Sequence, residues 1–427
     1  MTDIFAVVGK PILHSRSPQM MNSVFQELGV DAVYTRLAAE NAEEALETAK
    51  AIGIKALNIT TPFKEEMAKI VELDPVAKKL GAVNTILFDN EKTIGMNTDV
   101  DGVVGILSAE DTDNKRIVVL GAGGAAKAAI AAVVSLGMKV TVVNRTVEKA
   151  KEIANIFGCE YSPLSELEKQ LEPNCILISA LSTYERVVPK ELLKKEMIII
   201  DANYAKETQL IKDGKEVGCK TIDGKEWLAH HGVKVFELFT GRKVPFEMIR
   251  TVIDQKTTKP TNIALVGMMG SGKTANAIEL AERTGKGIFD SDHEIETQHE
   301  QKISAIFQEY GEDKFREMEI AQIRKLANIK DKIVACGGGV VLNQENIEII
   351  KQNAVVFWLW ATPETIEKRV QGKERPLLNV DERSEVIKQI LEKRKALYAK
   401  TADAIIITDG RIPKQITERI LNEDNAW

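Results

Sequence analysis

Short apolar runs alternate with longer amphipathic segments along almost the whole chain. The runs 116–120 and 262–266 are strand-like segments of this kind, and the longest clear apolar run, 355–361, is far too short to span a membrane. Helical patterns separate these runs, and such alternation is typical of sheets covered by helices on both sides. The pattern therefore predicts an α/β protein built on parallel sheets.

Two glycine-rich loops follow two of these predicted strands. Gly121-Ala-Gly-Gly-Ala-Ala126 comes after the first run and opens an alanine-rich helix, which is the arrangement of a dinucleotide-binding fingerprint. Gly267-Met-Met-Gly-Ser-Gly-Lys-Thr274 comes after the second run and matches the GxxxxGK(S/T) pattern of a Walker A loop. Because each loop binds phosphates at the end of its own sheet, the sequence predicts two nucleotide-binding domains.

The composition is that of an ordinary globular protein of 427 residues, with 44% hydrophobic and 28% charged residues. This length exceeds what one hydrophobic core usually organises, so two or three domains are expected. The net charge of −6 provides no basic field and argues against nucleic acid as a partner. The sequence shows no signal peptide and no run long enough to span a membrane, and its four cysteines are widely scattered. We therefore expect a cytoplasmic protein with reduced, structural thiols.

The first glycine loop has the strand–loop–helix–strand context that dinucleotide binding requires. Gly121 permits the tight turn, and Gly123 lets the pyrophosphate approach the backbone at a helix N-terminus. The second strand ends at Asn144-Arg145-Thr146, where an NAD enzyme would usually carry an acidic residue, and an arginine there suits a 2′-phosphate. NADPH is therefore the expected cofactor; Lys149 either adds charge to this site or is a solvated helix residue. The residues expected to contact the cofactor are Gly121, Gly123, Gly124, Ala125, Asn144, Arg145, Thr146 and Lys149.

Three polar clusters precede this unit, each at the end of an apolar run. They are His14-Ser15-Arg16-Ser17-Pro18, Asn58-Ile-Thr60-Thr-Pro62-Phe-Lys64, and Asn84-Thr85 with Asn97-Thr98-Asp99. Ser17-Pro18 and Thr61-Pro62 are also typical of helix starts. Together the clusters supply hydroxyls, amides, one lysine and one aspartate, which suits a small polyhydroxylated acid.

These motifs and their order resemble shikimate dehydrogenase over residues 1 to about 253. The resemblance implies that Ser15 and Ser17 bind the substrate carboxylate, and that Lys64 and Asp99 form the catalytic pair. Reduction of a ketone creates an alkoxide that a positioned acid must protonate, which is consistent with a lysine beside a carboxylate. By the same resemblance, the ligands of the ring hydroxyls are Asn58, Thr60, Asn84 and Asp99, and Tyr204 lies near the substrate.

Two segments depart from the pattern of that family. His231 stands where the family usually has a glutamine, and it is either an altered substrate ligand or a simple surface histidine. The segment Ser179-Ala-Leu-Ser-Thr183 replaces the family's usual Asn-Ala-Thr-Pro run near the nicotinamide. These changes bear on affinity and rate more than on the kind of reaction.

The Walker A loop predicts a site for a nucleoside triphosphate. Its backbone amides would cradle the phosphates, Lys273 would reach the β- and γ-oxygens, and Thr274 would bind Mg²⁺. Phe289-Asp290-Ser-Asp292 ends the next predicted strand and offers two carboxylates for Mg²⁺ and for an acceptor hydroxyl; the alternative is that these aspartates cap the following helix. Three successive glycines, 337–339, allow a close approach of ligand, or form a tight turn.

Residues 262 to about 422 resemble bacterial-type shikimate kinase. The resemblance implies that Asp292 faces the 3-hydroxyl of shikimate, that Asp290 lies on the Mg²⁺ side, and that Arg375 belongs to a lid. A lid would shield ATP from water until the acceptor is in place. The implied shikimate ligands are Arg316, Gly338, Gly339 and Arg394, and the implied nucleotide contacts are Gly270, Ser271, Gly272, Lys273, Thr274, Arg369 and Arg411.

The sequence thus predicts two enzymes in one chain, which would reduce 3-dehydroshikimate with NADPH and then phosphorylate shikimate with MgATP. The predicted domains are a substrate domain at 1–102 closed by helices at about 232–253, a Rossmann domain at 103–231, a linker at 254–261, and a P-loop kinase domain at 262–427. Each half carries its own motif set, so we expect neither to take a catalytic residue from the other. The alternatives are a quinate/shikimate dehydrogenase using NAD joined to the kinase, and a non-catalytic regulator that senses shikimate. The sequence leaves the oligomeric state open.

Overall fold

A computed structural model describes residues 2–89, 92–254, 258–370 and 382–427. The chain divides into two compact units, which we call unit 1 and unit 2. Unit 1 contains residues 1–18, 25–63 and 256–427, and unit 2 contains residues 19–24 and 64–255.

The strands of the described residues are short, as the apolar runs predict. They are β1 (Asp3–Gly9), β2 (Ala32–Ala38), β3 (Ala56–Ile59), β4 (Glu72–Leu73), β5 (Thr85–Asp89), β6 (Lys92–Met96), β7 (Ile117–Leu120), β8 (Val140–Asn144), β9 (Glu160–Pro163), β10 (Ile176–Ser179), β11 (Ile198–Asp201), β12 (Lys220–Ile222), β13 (Asn262–Val266), β14 (Gly287–Asp290), β15 (Lys332–Ala335), β16 (Ala354–Trp360) and β17 (Ala404–Ile407).

Helices connect most of these strands. They are α1 (Ser17–Glu27), α2 (Ala42–Ile52), α3 (Lys64–Met67), α4 (Pro75–Leu80), α5 (Asp99–Ser108), α6 (Gly124–Ser135), α7 (Val147–Phe157), α8 (Leu167–Gln170), α9 (Gln209–Val217), α10 (Gly224–Thr240), α11 (Phe246–Ile253), α12 (Lys273–Thr284), α13 (Ser291–His299), α14 (Ile303–Arg324), α15 (Gln344–Asn353), α16 (Pro363–Val370), α17 (Arg383–Thr401) and α18 (Pro413–Asp424).

Unit 1 is organised around a parallel sheet with the strand order β14-β15-β13-β16-β17-β2-β1-β3. Strand β13, which leads into the Walker A loop, lies between β15 and β16 and is buried along its whole length. At the other side of the kinase strands, β17 pairs in parallel with β2 through Ile405 opposite Leu37 and Ile406 opposite Ala38. The kinase strands and the first strands of the chain therefore share one sheet.

Unit 2 contains a six-stranded parallel sheet with the order β12-β11-β10-β7-β8-β9. Hydrophobic clusters cover both faces of this sheet, as expected for a Rossmann domain: Val119 and Ile178 belong to one cluster, and Val118 and Leu177 to the other. The same unit contains the antiparallel pair β5–β6, with β4 alongside β6. The predicted α/β class, with a Rossmann domain and a P-loop sheet, is confirmed.

Of the two helix starts predicted at a serine- or threonine-proline pair, the structure has one. Helix α1 begins at Ser17, as the Ser17-Pro18 pair predicts. Thr61 and Pro62 instead form a turn, and α3 begins only at Lys64, so the helix start predicted there is wrong. Among the described residues, no helix is both long and apolar enough to cross a membrane.

The compact units divide the chain differently from the predicted domains. Unit 1 joins the kinase residues to the first strands of the chain, whereas the prediction separates them at a linker covering 254–261. The predicted limits, which rest on the positions of motifs, stay a prediction. Residues 255–257 of that linker and the lid residue Arg375 lie outside the described residues.

Candidate active sites

The dinucleotide loop forms an open cradle at the end of β7. Gly121 has a φ of +114°, which an L-residue with a side chain rarely adopts, and α6 begins at Gly124. Gly123 precedes the helix without a side-chain cap, and a Cβ added at Gly123 or at Gly124 would meet no atom within 4 Å. Free space therefore lies next to uncapped helix amides, which fits the pyrophosphate of a dinucleotide.

The end of β8 carries the predicted cofactor-selecting residues. Arg145, Thr146 and Lys149 are exposed there, while the Asn144 side-chain amide donates a hydrogen bond of 3.0 Å to the Thr146 carbonyl. This bond ties the chain as it leaves the strand. The Arg145 guanidinium is thus presented to solvent beyond the end of the strand, as binding of a phosphate requires.

Lys64 and Asp99 form a close ion pair in unit 2. The Lys64 Nζ lies 2.6 Å from the Asp99 Oδ2, and the two side chains are 30% and 22% exposed. Burial raises the pKa of Asp99, but the charge of Lys64, the electrostatic effect of the nearby His231, and the hydrogen bonds from Lys64 and Asn84 outweigh it, so the pKa lies below its usual value. Asp99 is therefore ionised at neutral pH. The Trp227 indole donates a 3.1 Å hydrogen bond to the Asp99 carbonyl and fixes the start of α5.

A hydrogen-bond network orients Asn84 beside this pair. Its side-chain oxygen accepts hydrogen bonds from the Thr98 amide at 2.8 Å, the Thr98 hydroxyl at 3.1 Å and the Thr85 hydroxyl at 3.0 Å. The Asn84 Nδ2 then lies 3.4 Å from the His231 Nε2. Burial lowers the pKa of His231, Lys64 adds to this effect and Asp99 opposes it, so the imidazole is neutral at neutral pH. The half-buried His231 therefore lies in this cluster, and its role as a substrate ligand stays a prediction.

Unit 1 carries the other predicted dehydrogenase ligands. The Ser15 and Ser17 hydroxyls lie 3.4 Å apart, and the Asn58 Oδ1 accepts a 2.6 Å hydrogen bond from the hydroxyl of the buried Tyr34. Thr60 follows β3, and its amide continues the sheet pattern by donating to the Val8 carbonyl at 2.9 Å. Tyr204, in unit 2, is 41% exposed in the loop after β11.

The Walker A loop lines a cavity of about 370 Å³ in unit 1. The Lys273 Nζ donates to the carbonyls of Gly267 and Met268 at 2.9 and 3.1 Å, so its side chain folds back along the loop. Gly270 and Gly272 have φ values of +82° and +99°. The predicted nucleotide residues that line this cavity are Gly270, Ser271, Gly272, Lys273, Thr274, Arg369 and Arg411.

Asp290 has two contacts, one to a helix and one to the Walker A loop. Its Oδ1 accepts the amides of Asp292 and His293 at 3.1 and 3.2 Å, so Asp290 does cap α13. Its Oδ2 lies 3.3 Å from the Thr274 hydroxyl. A carboxylate and a hydroxyl at this separation, facing the phosphate cradle, are suitable ligands for hydrated Mg²⁺.

A second cavity in unit 1 collects the predicted acceptor residues. Arg316 donates to Glu319 at 3.0 Å and to Glu312 at 2.8 Å. Among the described residues, the buried Arg316 Nε and Glu319 Oε1 have no hydrogen-bond partner, so two residues that line this cavity retain unsatisfied polar atoms. The side chains and glycines that line it are Met269, Asp292, Ile303, Phe307, Phe315, Arg316, Glu319, Gly337, Gly338, Gly339 and Arg394.

The three glycines let charged side chains reach the backbone of this cavity. A Cβ at Gly337 would lie 2.7 Å from oxygens of Asp292 and Glu319, and a Cβ at Gly339 would lie 2.3 Å from the Arg316 guanidinium. The Arg394 guanidinium donates to the Gly338 carbonyl at 3.1 Å. A side chain at Gly337 or Gly339 would therefore displace Asp292, Glu319 or Arg316 from its position at this cavity.

Arg369 and Arg411 are held in different ways at the nucleotide cavity. Arg369 donates to the Thr408 hydroxyl and carbonyl at 3.0 and 2.7 Å. Arg411 donates to the Asp409 carbonyl at 3.2 Å and is paired with Glu44 on α2. Glu44, Glu319, Trp227 and Tyr34 were not expected from the sequence, because none of them belongs to a recognisable motif.

Comparison with known proteins identifies the N-terminal part of the chain. Residues 7–86 match the family model described as the shikimate dehydrogenase substrate binding domain, and residues 106–214 match the one described as shikimate / quinate 5-dehydrogenase. The chain is 39% identical over 254 residues to shikimate dehydrogenase (NADP(+)) of Natronomonas pharaonis, covering 57% of this chain and 96% of that protein. The chain belongs to the shikimate dehydrogenase family.

Solved structures of that family superpose on the same part of the chain. The crystal structure of shikimate dehydrogenase from Aquifex aeolicus has a TM-score of 0.55 and 34% identity, and covers 60% of this chain and 98% of its own. The structure of the Thermus thermophilus enzyme in complex with NADP(H) and shikimate has a TM-score of 0.54 and 30% identity, and covers 59% of this chain and 98% of its own.

The C-terminal part matches a different family model. Residues 269–425 match the model described as shikimate kinase. The chain therefore combines shikimate dehydrogenase domains with a shikimate kinase domain, and both enzyme activities are represented. This is the arrangement of a bifunctional shikimate-pathway enzyme.

Proposed function

We propose that the chain reduces 3-dehydroshikimate to shikimate with NADPH, and phosphorylates shikimate at its 3-hydroxyl with MgATP. The product of the first reaction is the substrate of the second, which makes the pairing of the two domains chemically coherent. Both reactions involve small soluble metabolites, and we place them in the cytoplasm. The observation that carries the proposal is that each half brings together charged groups suited to its reaction: Lys64 forms an ion pair with Asp99, and Asp292, Arg316 and Arg394 line one cavity.

In the dehydrogenase half, Lys64 is the acid. NADPH, when bound, supplies a hydride to the carbonyl carbon of the substrate. The developing alkoxide needs a proton, and the Lys64 ammonium, 2.6 Å from the Asp99 carboxylate, is placed to donate it. Asp99 stays ionised because its pKa is lowered, so it holds Lys64 in position and accepts a hydrogen bond from a substrate hydroxyl.

The remaining polar residues would bind the substrate without reacting with it. Ser15 and Ser17 present two neighbouring hydroxyls that suit a carboxylate. The Asn84 carbonyl oxygen accepts hydrogen bonds from Thr98 and Thr85, which orients its amide nitrogen towards His231 within this cluster. The other proposed ligands are Asn58, Thr60, Tyr204 and His231.

The cofactor would lie on the glycine loop with its 2′-phosphate at the end of β8. Gly121, Gly123, Gly124 and Ala125 would form the backbone cradle, and a Cβ added at Gly123 would meet no atom within 4 Å, so the space beside the loop is open. Arg145, exposed beyond β8, would pair with the 2′-phosphate, with Asn144, Thr146 and Lys149 around it. An arginine at this position favours NADPH over NADH.

In the kinase half, the nucleotide cavity and the acceptor cavity share lining residues, which suits transfer of a phosphoryl group from one to the other. Asp292 and Gly338 line both the nucleotide cavity and the acceptor cavity, so a hydroxyl near Asp292 would lie beside the phosphates. Asp292 would orient the 3-hydroxyl and accept its proton, whereas Lys273 would stabilise the charge on the transferred phosphoryl group. Thr274 and Asp290 would hold Mg²⁺, which neutralises phosphate charge when bound.

The arginines and glycines around the acceptor cavity would fix shikimate. Arg316 and Arg394 provide the positive charge for its carboxylate, and Gly338 and Gly339 allow its ring to approach the backbone. Arg369 and Arg411 line the nucleotide side. Arg375 keeps its proposed lid role on the resemblance alone.

A coupled assay tests both reactions in one experiment. The purified chain is supplied with 3-dehydroshikimate, NADPH and MgATP, and both NADPH absorbance and shikimate 3-phosphate are followed. Asp292→Asn should leave NADPH oxidation intact and abolish the phosphorylated product, while Asp313→Asn, at an exposed position on α14, should change neither. Failure of the unaltered chain in both reactions would instead support the non-catalytic regulator, and preference for NADH with quinate would support the other alternative.

A further inference from the structure

We propose that the kinase half holds the substrate loop of the dehydrogenase half in its binding shape, with Glu423 and Arg36 as positioning residues. The substrate loop is defined as residues 10–17, which contain Ser15 and Ser17. The inference rests on the proposed function of those two serines. All the contacts that carry it lie within unit 1.

Glu423, on the last helix of the kinase half, binds the backbone of the substrate loop. Its Oε2 accepts hydrogen bonds from the amides of Ile12 and Leu13 at 2.8 and 2.9 Å. The carboxyl group is 3% exposed, and Ile12 and Leu13 are 0% and 3% exposed. One buried carboxylate oxygen therefore satisfies two successive buried amides that would otherwise lack a partner at that position.

Arg36, on β2, binds the same loop two residues further along and also binds the kinase half. Its Nε and Nη2 donate to the Ser15 carbonyl at 3.1 and 2.6 Å. Its Nη1 donates to the carbonyl of Asp403 at 2.9 Å, just before β17. Burial lowers the pKa of Arg36 to about 10, while the charges of Asp403 and Glu423 oppose this effect. The guanidinium still carries its charge at neutral pH, and it connects the substrate loop to the kinase strand.

These anchors depend on the fusion of the two enzymes. The dehydrogenase family models match residues 7–86 and 106–214, whereas the shikimate kinase model matches residues 269–425, and the Natronomonas pharaonis dehydrogenase is covered over 96% of its length by 57% of this chain. Glu423 and Asp403 both belong to that additional half. In this chain the backbone on the N-terminal side of Ser15 is therefore held by residues that a separate dehydrogenase of that length does not contain.

The positioning role predicts a selective kinetic effect. Ser15 and Ser17 would bind the substrate carboxylate only if the backbone before them is fixed, because an ill-placed hydroxyl forms weaker hydrogen bonds. Loss of the Glu423 carboxylate should therefore weaken substrate binding by the dehydrogenase and leave the kinase cavity, which Glu423 does not line, unaffected.

The test compares Glu423→Ala, Glu423→Gln and Glu423→Asp in the full chain, with Glu418→Ala as the matched control on an exposed face of α18. We expect Glu423→Ala to raise the KM for 3-dehydroshikimate about tenfold or more, the scale of losing hydrogen bonds to a charged group. Glutamine keeps an oxygen that can accept both amides and should rescue most of the effect, whereas aspartate is too short to reach both. Shikimate kinase activity of the same samples should stay at the level of the unaltered chain.

Two outcomes would overturn the proposal. One is a KM for 3-dehydroshikimate that stays at the value of the unaltered chain in all three variants while their kinase activity is normal. The other is a parallel loss of both activities in Glu423→Asp and Glu423→Gln, which would show that Glu423 supports folding rather than the loop. Hydrogen exchange at the amides of Ile12 and Leu13 gives a readout that does not depend on catalysis, and it should accelerate in Glu423→Ala. This result is expected even if the unaltered chain fails to reduce 3-dehydroshikimate, so failure of the proposed function is distinguishable from failure of the positioning role.

Discussion

Replacing Lys64 with alanine should lower the turnover of 3-dehydroshikimate reduction by about 10²- to 10⁴-fold, the contribution of a positioned general acid. At about 1.36 kcal/mol for each factor of ten, this corresponds to roughly 3–5 kcal/mol of activation free energy. The structure supports the upper part of this range. Lys64 is only 30% exposed, so water has limited access to deliver the proton in its place.

The same substitution should change the titration of Asp99. Its pKa is lowered because Lys64 contributes both charge and a hydrogen bond against the effect of burial. Without Lys64, the pKa of Asp99 should rise, since burial is then opposed only by its weaker partners. As the solution becomes more acidic, the residual activity of Lys64→Ala should therefore begin to decline at a higher pH than the activity of the unaltered chain.

The assay follows NADPH absorbance under saturating substrate, with the kinase activity of the same chain as an internal measure of folding. Lys69→Ala is the matched control, because Lys69 is exposed just beyond α3 and belongs to no proposed site. Near-normal turnover in Lys64→Ala would remove Lys64 from the mechanism. Equal loss of kinase activity would show that the effect arises from misfolding.

Three further predictions concern the cofactor, the metal and pH. Arg145→Gln should lower the ratio of kcat/KM for NADPH to that for NADH about tenfold or more, since a hydrogen bond to a charged group contributes about 1.5–3 kcal/mol. Lys151→Gln, on the exposed face of α7, should leave this ratio unchanged. An equal ratio in the two variants would refute the assignment of Arg145 to the 2′-phosphate. Asp290→Asn should raise the Mg²⁺ concentration for half-maximal kinase rate about tenfold or more, and an unchanged requirement would place the metal elsewhere. Because the pKa values of Asp99 and His231 are both lowered, protonation of these groups should reduce dehydrogenase activity only below pH ~6.5, the ordinary histidine value. A drop in activity near that pH that disappears in His231→Gln would contradict this expectation.

The phosphate loops were predictable from the sequence because their geometry is local. Gly121 and Gly270 adopt positive φ values that glycine tolerates best, and each loop lies directly between a buried strand and a helix. The ion pair of Lys64 and Asp99 was also expected, through the resemblance to a known family. In the two loops, a few neighbouring residues determine both the chemistry and the backbone geometry, whereas the pair of Lys64 and Asp99 joins positions 35 residues apart.

The contacts between distant segments could not be predicted in this way. Glu423 meets Ile12 across a sequence separation of 411 residues, and no periodicity or motif relates the two positions. Arg36 carries a charge in a largely apolar strand, and charged residues are mostly exposed; Arg36 is instead 3% exposed. Which strand pairs with β2 depends on the complete fold, so the partners of Arg36 follow only from the structure.

The shared sheet qualifies the expectation that the two halves are independent. Without their pairing, β2 and β17 would each present unpaired backbone groups at an edge, which favours unwanted association. Arg36 adds a second condition, because a buried guanidinium is tolerated only when its donors are satisfied, and its acceptors at Ser15 and Asp403 lie one in each half. Each half can therefore hold its own catalytic residues and still depend on the other for packing. A complete set of motifs predicts that each half has its own catalytic residues, whereas the buried contacts of Arg36 and Glu423 join the backbone of the substrate loop to the kinase half.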